Sequence, residues 1–371
     1  MVDKEKYRIF VCMKIAYVIE DFSIKGGAER IIAEKANYLA TEFHHNVTII
    51  SIYQDDRGMS YALAKGVKLV SLHVPFTQKS TSRLMTTYHR LMTLYKVMNS
   101  FQKNIDQLKP DLIFFTMSLG ALLLPWCKTK AKKVYESHSA RPFTPYHQFF
   151  FPMERKADMV VCLTQEDALE YKHAKRITVI PNFIRRPRKT TINYDVKKAI
   201  AVGRLEPPKG FDRLIKAWEK VANANPAWHL DIYGEGSCHK QLQQLIDQLQ
   251  LSHHVTLRGR KDNILELYPN YSLHIMPSRY EGQGIALLEA QACGLPSVSF
   301  NFQYGASDII QDGYNGLLVE QDNIPQLAEA IIKMTNSRQI RQEYGQHAHS
   351  LTTAYYQENI FSKWTDLIAS L

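Results

Sequence analysis

Ala199-Ile200-Ala201-Val202-Gly203-Arg204-Leu205-Glu206-Pro207-Pro208-Lys209-Gly210-Phe211 reads as a short apolar strand, a loop broken by glycine and proline, and the start of a helix over 211–222. A strand that turns directly into a helix is the first half of a βαβ unit, whose strands run parallel. Arg204 and Lys209 then stand just past the strand's end, at the carboxyl edge of a wound sheet, where such sheets bind ligands.

Working outward, further apolar runs follow at 228–233, 255–257, 273–276, 297–300 and 316–319, with helical patterns between them. The first half repeats the scheme, with runs at 15–20, 46–52, 68–72, 111–117, 132–136 and 159–163 and helical patterns at 28–39 and 84–108. Alternation of this kind predicts an α/β chain with parallel sheets. The stretch Pro181-Asn182-Phe183-Ile184-Arg185-Arg186-Pro187-Arg188-Lys189 separates the two series as a hinge. At 371 residues two cores are expected. We therefore expect two Rossmann-like domains, 1–184 and 185–355, with sheets facing across a cleft.

Composition narrows the classes. The five cysteines, Cys12, Cys127, Cys162, Cys238 and Cys293, are odd in number and scattered, which predicts a reducing, cytoplasmic setting and no structural metal. The apolar stretch 112–127 is too short to span a bilayer and is interrupted by Ser118, Gly120 and Pro125, so it reads as strand, turn and helix. The N-terminal run at 9–19 lacks a small-residue cleavage site and reads as a first core strand, with Met13 an alternative start to Met1. Residues 1–191 hold 30 Lys+Arg against 17 Asp+Glu, a balance of +13, and the remainder holds 16 against 19, a balance of −3, which together give the chain's +10. A basic first half suits an anionic membrane face, with simple solubility as the plain alternative. No nucleic-acid motif accompanies the charge, so no nucleic-acid partner is expected.

Glu281 and Glu289 lie eight apart in Ser278-Arg279-Tyr280-Glu281-Gly282-Gln283-Gly284-Ile285-Ala286-Leu287-Leu288-Glu289-Ala290. The first sits in a glycine-loosened loop and the second on the helix 285–292, so both can face one cleft. The helix start aims free N–H groups and a positive dipole end at a diphosphate, while carboxylates suit sugar hydroxyls. Near the N-terminus, Lys25-Gly26-Gly27-Ala28-Glu29-Arg30 follows the first strand, and its glycines permit close approach of a ligand or serve as an ordinary turn. Glu136-Ser137-His138 ends another strand, where a histidine can bind a hydroxyl or phosphate. No Asp-x-Asp triplet or paired-histidine metal pattern occurs, so metal-independent chemistry is expected, with Arg204 and Lys209 neutralising charge instead. The segment 83–109 repeats Leu84, Tyr88, Leu91, Tyr95, Met98, Ile105 and Leu108 with interleaved cations, and the aromatics Phe143, Tyr146, Phe149, Phe150 and Phe151 follow beside Arg141. Core packing, a lipid-facing surface and an acceptor pocket all fit these two features.

Together these residues resemble the retaining GT-B glycosyltransferases of family 4, glycosyl transferases group 1. The likeness runs from Met13-Lys14-Ile15-Ala16-Tyr17 to the C-terminal helices. Its strongest motifs are Val202-Gly203-Arg204-Leu205 with Lys209-Gly210-Phe211, Tyr233-Gly234-Glu235-Gly236, Leu257-Arg258-Gly259, Pro277-Ser278, the Glu281 to Glu289 stretch and Ala292-Cys293-Gly294-Leu295-Pro296. The resemblance implies an acceptor-binding first domain and a donor-binding second domain, with a C-terminal helix over 356–371 crossing back onto the first. It implies that Glu289 holds ribose hydroxyls, Glu281 holds donor-sugar hydroxyls, and Arg204 and Lys209 clamp the diphosphate beside Gly203. Backbone amides of Gly284, Ile285 and Ala286 would assist. Gly259 and Arg260 would lie by the base, Gly26 and Gly27 by the diphosphate or sugar, and His138 by sugar and acceptor. Gln283 stands where the family often has an aromatic residue, which leaves the donor sugar open.

The implied activity is retaining, metal-independent hexosyl transfer without a cofactor, from a UDP-sugar to a carbohydrate or lipid-linked acceptor. Polysaccharide, lipopolysaccharide and glycolipid assembly on the inner face of the membrane all fit. Two rivals are a GT-B nucleotide-sugar epimerase, which needs its own acid/base pair, and a silent nucleotide-sugar or membrane-binding partner.

Overall fold

A computed structural model describes residues 12–53, 58–74, 83–188 and 190–371, with the side chains of 83–91 left out of the description. The start of the N-terminal apolar run, Lys189, and the side chains of Leu84, Tyr88 and Leu91 in the expected amphipathic stripe therefore lie outside the described residues. The chain divides into two compact units. The first runs to Leu163 and again over Asp167–Val179; the second spans Ile180–Ser370 and includes Thr164–Glu166.

The first unit is built on a seven-stranded parallel sheet: β1 (Lys14–Asp21), β2 (Asn46–Tyr53), β3 (Val67–Ser71), β4 (Leu112–Thr116), β5 (Lys132–Glu136), β6 (Met159–Cys162) and β7 (Ile177–Val179), in the order 3-2-1-4-5-6-7. Ile15, Ala16, Tyr17, Val18 and Ile19 of β1 are all buried, the pattern of a central parallel strand covered on both faces. The edge strand β7 has only three residues, Ile177, Thr178 and Val179, too few for sequence periodicity to reveal. The helix Arg83–Leu108 buries Val97, Phe101 and Ile105 at a spacing of four, whereas Tyr95, expected on the apolar face, is 61% exposed. The residues 112–127 form β4, the helix Met117–Leu123 and a 3-10 turn Leu124–Trp126.

The second unit carries a six-stranded parallel sheet: β8 (Lys198–Val202), β9 (His229–Tyr233), β10 (Val255–Gly259), β11 (Leu273–Met276), β12 (Ser297–Phe300) and β13 (Gly316–Val319), in the order 10-9-8-11-12-13. Its helix Phe211–Ala224 turns Phe211, Leu214, Ile215, Trp218 and Val221 into the core, each contributing about 1.5–3 kcal/mol by leaving water. The C-terminal helix Gln357–Ser370 falls within this unit, with Phe361 tilted against Phe183 at 4.8 Å. In each sheet the strand order reverses beside the first strand, between β1 and β4 and between β8 and β11. At such a switch point the connecting loops part and leave a crevice beyond the carboxyl ends of the strands.

Candidate active site

In the second unit, the loop 203–210 leaves β8 and the loop 277–284 leaves β11, so both flank the switch point. They are stapled together. Arg279 donates its backbone N–H to the Pro208 carbonyl at 2.8 Å, and its guanidinium forks onto the Asp212 carboxylate at 2.8 and 2.9 Å. A bidentate fork of this kind fixes direction as well as distance. Gly210 has φ +66°, and a Cβ there would run into the Pro277 carbonyl oxygen, so the approach of the two loops requires glycine.

Across this staple, Lys209 Nζ lies 2.6 and 2.8 Å from the two oxygens of Glu281, and Ser278 Oγ donates to one of those oxygens at 2.6 Å. The Lys209 side chain is 20% exposed and that of Glu281 11%. The Lys209 stem passes over Gly203, where a Cβ would sit 3.3 Å from it. Two opposite charges are thus held at the mouth of a half-buried site, each able to touch a ligand's complementary group through its remaining hydrogen-bonding capacity. Arg204, on the same loop, is exposed.

Gly284 adopts φ +92° and caps the helix Ile285–Ala292. The N–H groups of Ile285 and Ala286 belong to the first turn, which has no helical acceptors, and so are available to an anion. Glu289 is buried on that helix, 5% exposed. Gln283 is 3% exposed, and its Oε1 accepts from the Asn182 backbone N–H at 2.7 Å. Gly259, φ +69°, has open space where a side chain would be, and Arg260 beside it pairs with Asp262 at 3.4 Å.

Sequence reasoning gave no role to Arg279 or Asp212, and it named Ser278 only as part of a motif, without its contact to Glu281. Arg279 and Ser278 sit inside the quoted acidic stretch, but nothing local shows that Arg279 reaches back to Asp212.

In the first unit, Gly26 precedes the helix Gly27–Thr41, and a Cβ on it would strike the Glu29 carboxylate, which folds back over the helix start. His138 follows β5 with its ring 4% exposed and Nε2 3.3 Å from Glu136. That carboxylate is buried and receives Lys35 Nζ at 2.6 and 2.7 Å. Burial lowers the Lys35 ammonium to about 8, although Glu136 opposes the shift. Burial also lowers the His138 pKa, against the attraction of Glu136. The Lys35–Glu136 pair is invisible to sequence reading, because 101 residues separate its members.

Residues 182–350 match the model for glycosyl transferases group 1, and residues 25–186 match that for glycosyltransferase family 4. The chain belongs to the group 1, family 4 glycosyltransferases. It is 30% identical over 62% of its length to a poly(ribitol-phosphate) alpha-N-acetylglucosaminyltransferase of Staphylococcus aureus, of which it spans 47%. An amylovoran biosynthesis glycosyltransferase of Erwinia amylovora is 26% identical, with 96% of this chain and 99% of the other aligned. The chain spans under half the length of the first curated relatives it matches, 47% and 23%. In fold, the chain is similar to sucrose-phosphate synthase of Thermosynechococcus elongatus, TM-score 0.82 at 18% identity over 96% of this chain and 98% of that one. It is also similar to TarM, TM-score 0.79 at 17% identity over 97% and 99%. Both likenesses carry the two Rossmann-like sheets of the GT-B fold.

Proposed function

We propose that this protein transfers a hexosyl group from a nucleotide diphosphate sugar, a UDP-sugar, to a hydroxyl of a carbohydrate or lipid-linked acceptor in cell-surface polysaccharide assembly. The observation that carries the reading is the Lys209–Glu281 pair, set beside a helix N-terminus at the switch point of β8 and β11. A diphosphate leaving group is met there by the Lys209 ammonium, the Arg204 guanidinium on the same loop and the first-turn amides of Ile285 and Ala286. Glu281 and Glu289 supply acceptors for sugar and ribose hydroxyls. The activities of relatives support the class: besides the S. aureus enzyme, a poly(glycerol-phosphate) alpha-glucosyltransferase of Bacillus subtilis is 28% identical over 62% of this chain.

Transfer proceeds with retention and without a metal, the two cations taking the charge that a divalent ion neutralises elsewhere. In this scheme the departing phosphate takes the acceptor's proton on the face it leaves, so the protein contributes orientation and electrostatic stabilisation rather than a covalent step. His138 stands by the sugar and the acceptor, and Gly26 and Gly27 stand by the diphosphate. Gly259 and Arg260 lie by the base. The basic first unit gives the enzyme an anionic membrane face as a second partner, at the cytoplasmic side.

The test is a thermal-shift screen against UDP-, GDP- and ADP-sugars, followed by product analysis. A donor at 100 times its Kd raises stability by about 2.7 kcal/mol. No shift with any nucleotide sugar, or a product with inverted anomeric configuration, contradicts the reading.

A further inference from the structure

Three polar side chains of the first unit meet in its interior: Lys35 of the helix Gly27–Thr41, Glu136 at the end of β5 and His138 two residues beyond. Lys35 and Glu136 are each 1% exposed, and the His138 ring is 4% exposed. The Lys35 ammonium lies 5.5 and 5.3 Å from the centroids of the stacked Tyr17 and Phe114 rings and donates to both oxygens of the Glu136 carboxylate. A buried ion pair of this kind adds little net stability over apolar residues of the same volume, because desolvation offsets the attraction. The carboxylate has a further neighbour. His138 Nε2, enclosed and without a full hydrogen bond among the described residues, lies 3.3 Å from Glu136 Oε1.

The loop that carries the histidine is fixed on both sides. Ser137 is fully buried, donates its N–H to the Val161 carbonyl at 2.9 Å and gives its hydroxyl to Asp167 at 2.9 Å. Arg141 donates its backbone N–H to the other oxygen of Asp167 at 2.7 Å, and that carboxylate is buried. With the loop held, the protonation of the ring decides what His138 offers a ligand. A carboxylate oxygen presents lone pairs only, so Nε2 faces it with a proton and Nδ1 keeps the lone pair. Burial holds the ring in its neutral form, and Lys35 offsets the pull of Glu136 toward a second proton.

We propose that Lys35 and Glu136 are positioning residues for His138: Glu136 fixes the Nε2–H tautomer, Lys35 compensates the carboxylate, and Nδ1 is left to accept a hydrogen bond from a ligand hydroxyl. A hydroxyl donates as well as accepts, so a bare imidazole nitrogen reads it, whereas the opposite tautomer offers N–H and an imidazolium has no lone pair. A phosphate oxygen is the poorer match, because it brings lone pairs to a lone pair. The proposal rests on the place given to His138 in the transfer reading and names the class of group that the ring meets there.

Two double variants, K35M/E136L and K35M/E136Q, both remove the buried charges, and only the second keeps an oxygen that accepts from Nε2–H. Nitrogen-15 spectra of the full-length protein labelled at its histidines show which ring nitrogen holds the proton and need no substrate; His138 is assigned by its absence from the H138N spectrum. The expected result is a single Nε2–H tautomer in the unaltered protein and in K35M/E136Q, and a mixture of tautomers in K35M/E136L. Turnover of a UDP-sugar is expected to fall at least about tenfold in K35M/E136L, the worth of one well-placed hydrogen bond, and to return toward the unaltered rate in K35M/E136Q. Urea midpoints of the two doubles separate this loss from unfolding. An Nδ1–H tautomer or an imidazolium in the unaltered protein, or the same tautomer mixture and turnover in both doubles, overturns the proposal. A protein that turns over no UDP-sugar contradicts the transfer reading instead, and the spectra alone then decide whether Glu136 sets the ring.

Discussion

Lys209 and Glu281, 72 positions apart, meet as a two-pronged ion pair: one ammonium lies 2.6 and 2.8 Å from the two oxygens of one carboxylate. The pair joins the loop after β8 to the loop after β11, so it stands on the line where the second sheet reverses its order. Its cation and anion are the two chemical signs that a diphosphate sugar needs.

Replacing Lys209 with Ala removes a fixed cation from the leaving group and leaves Glu281 with the Ser278 hydroxyl as its remaining donor among the described residues. Turnover is expected to fall about 10²–10³-fold or more, the cost of losing one electrostatic stabiliser of developing charge. Steady-state kinetics with saturating donor measure it, and a near-normal kcat removes Lys209 from the catalytic assignment. Glu281→Gln, which keeps shape but not charge, is expected to lower kcat in the same assay.

Gly210→Ala combines a left-handed backbone with a Cβ driven into the Pro277 carbonyl. The expected loss is about 1–3 kcal/mol for the backbone conformation alone, and more with the steric clash. Chemical denaturation reads the stability. Nucleotide affinity is expected to weaken with it, because the staple through Arg279 and Pro208 is displaced. An unchanged midpoint contradicts the close approach described here.

The buried Lys35–Glu136 pair gives a cycle with a distinctive sign. Lys35→Met or Glu136→Leu alone strands one charge in the core and is expected to cost about 3–5 kcal/mol, whereas the double change strands neither and recovers most of that loss. Urea midpoints of the four proteins decide it. Simple additivity of the two single losses means that the two groups do not depend on each other.

His274, on β11, is fully buried, and burial pushes its pKa down to about 3 from an ordinary value of 6.5. The folded pKa is the lower one, so between these values the unfolded chain holds the extra proton. Stability from this group is therefore present above pH 6.5 and falls as pH drops toward 3, by about 1.4 kcal/mol per unit. His274→Gln is expected to flatten the stability profile between pH 6.5 and 4 by about one proton. Urea melts across that range test it; parallel profiles for the two proteins contradict a neutral buried imidazole.

Much of the architecture was legible because parallel strands buried on both faces must be continuous apolar runs, and the runs at 15–20, 46–52, 273–276 and 297–300 stand out for that reason. Local patterning also reveals the glycine turns and the helix start at Ile285, since caps and left-handed residues have their own chemistry. β7 escaped because three residues carry no period, and Tyr95 was misplaced because a helix's repeat shows a stripe without saying which neighbour covers it.

Amino-acid order by itself determined two wound α/β series, their cations at the strand ends and the carboxylates of Glu281 and Glu289, because each rests on interactions within a few residues. Only the tertiary structure decided that Lys209 grips Glu281, that Arg279 turns back to Asp212, and that Glu136 is spent on Lys35. Such pairings depend on which loops the sheet order brings together, and that order is set by the packing of the whole core.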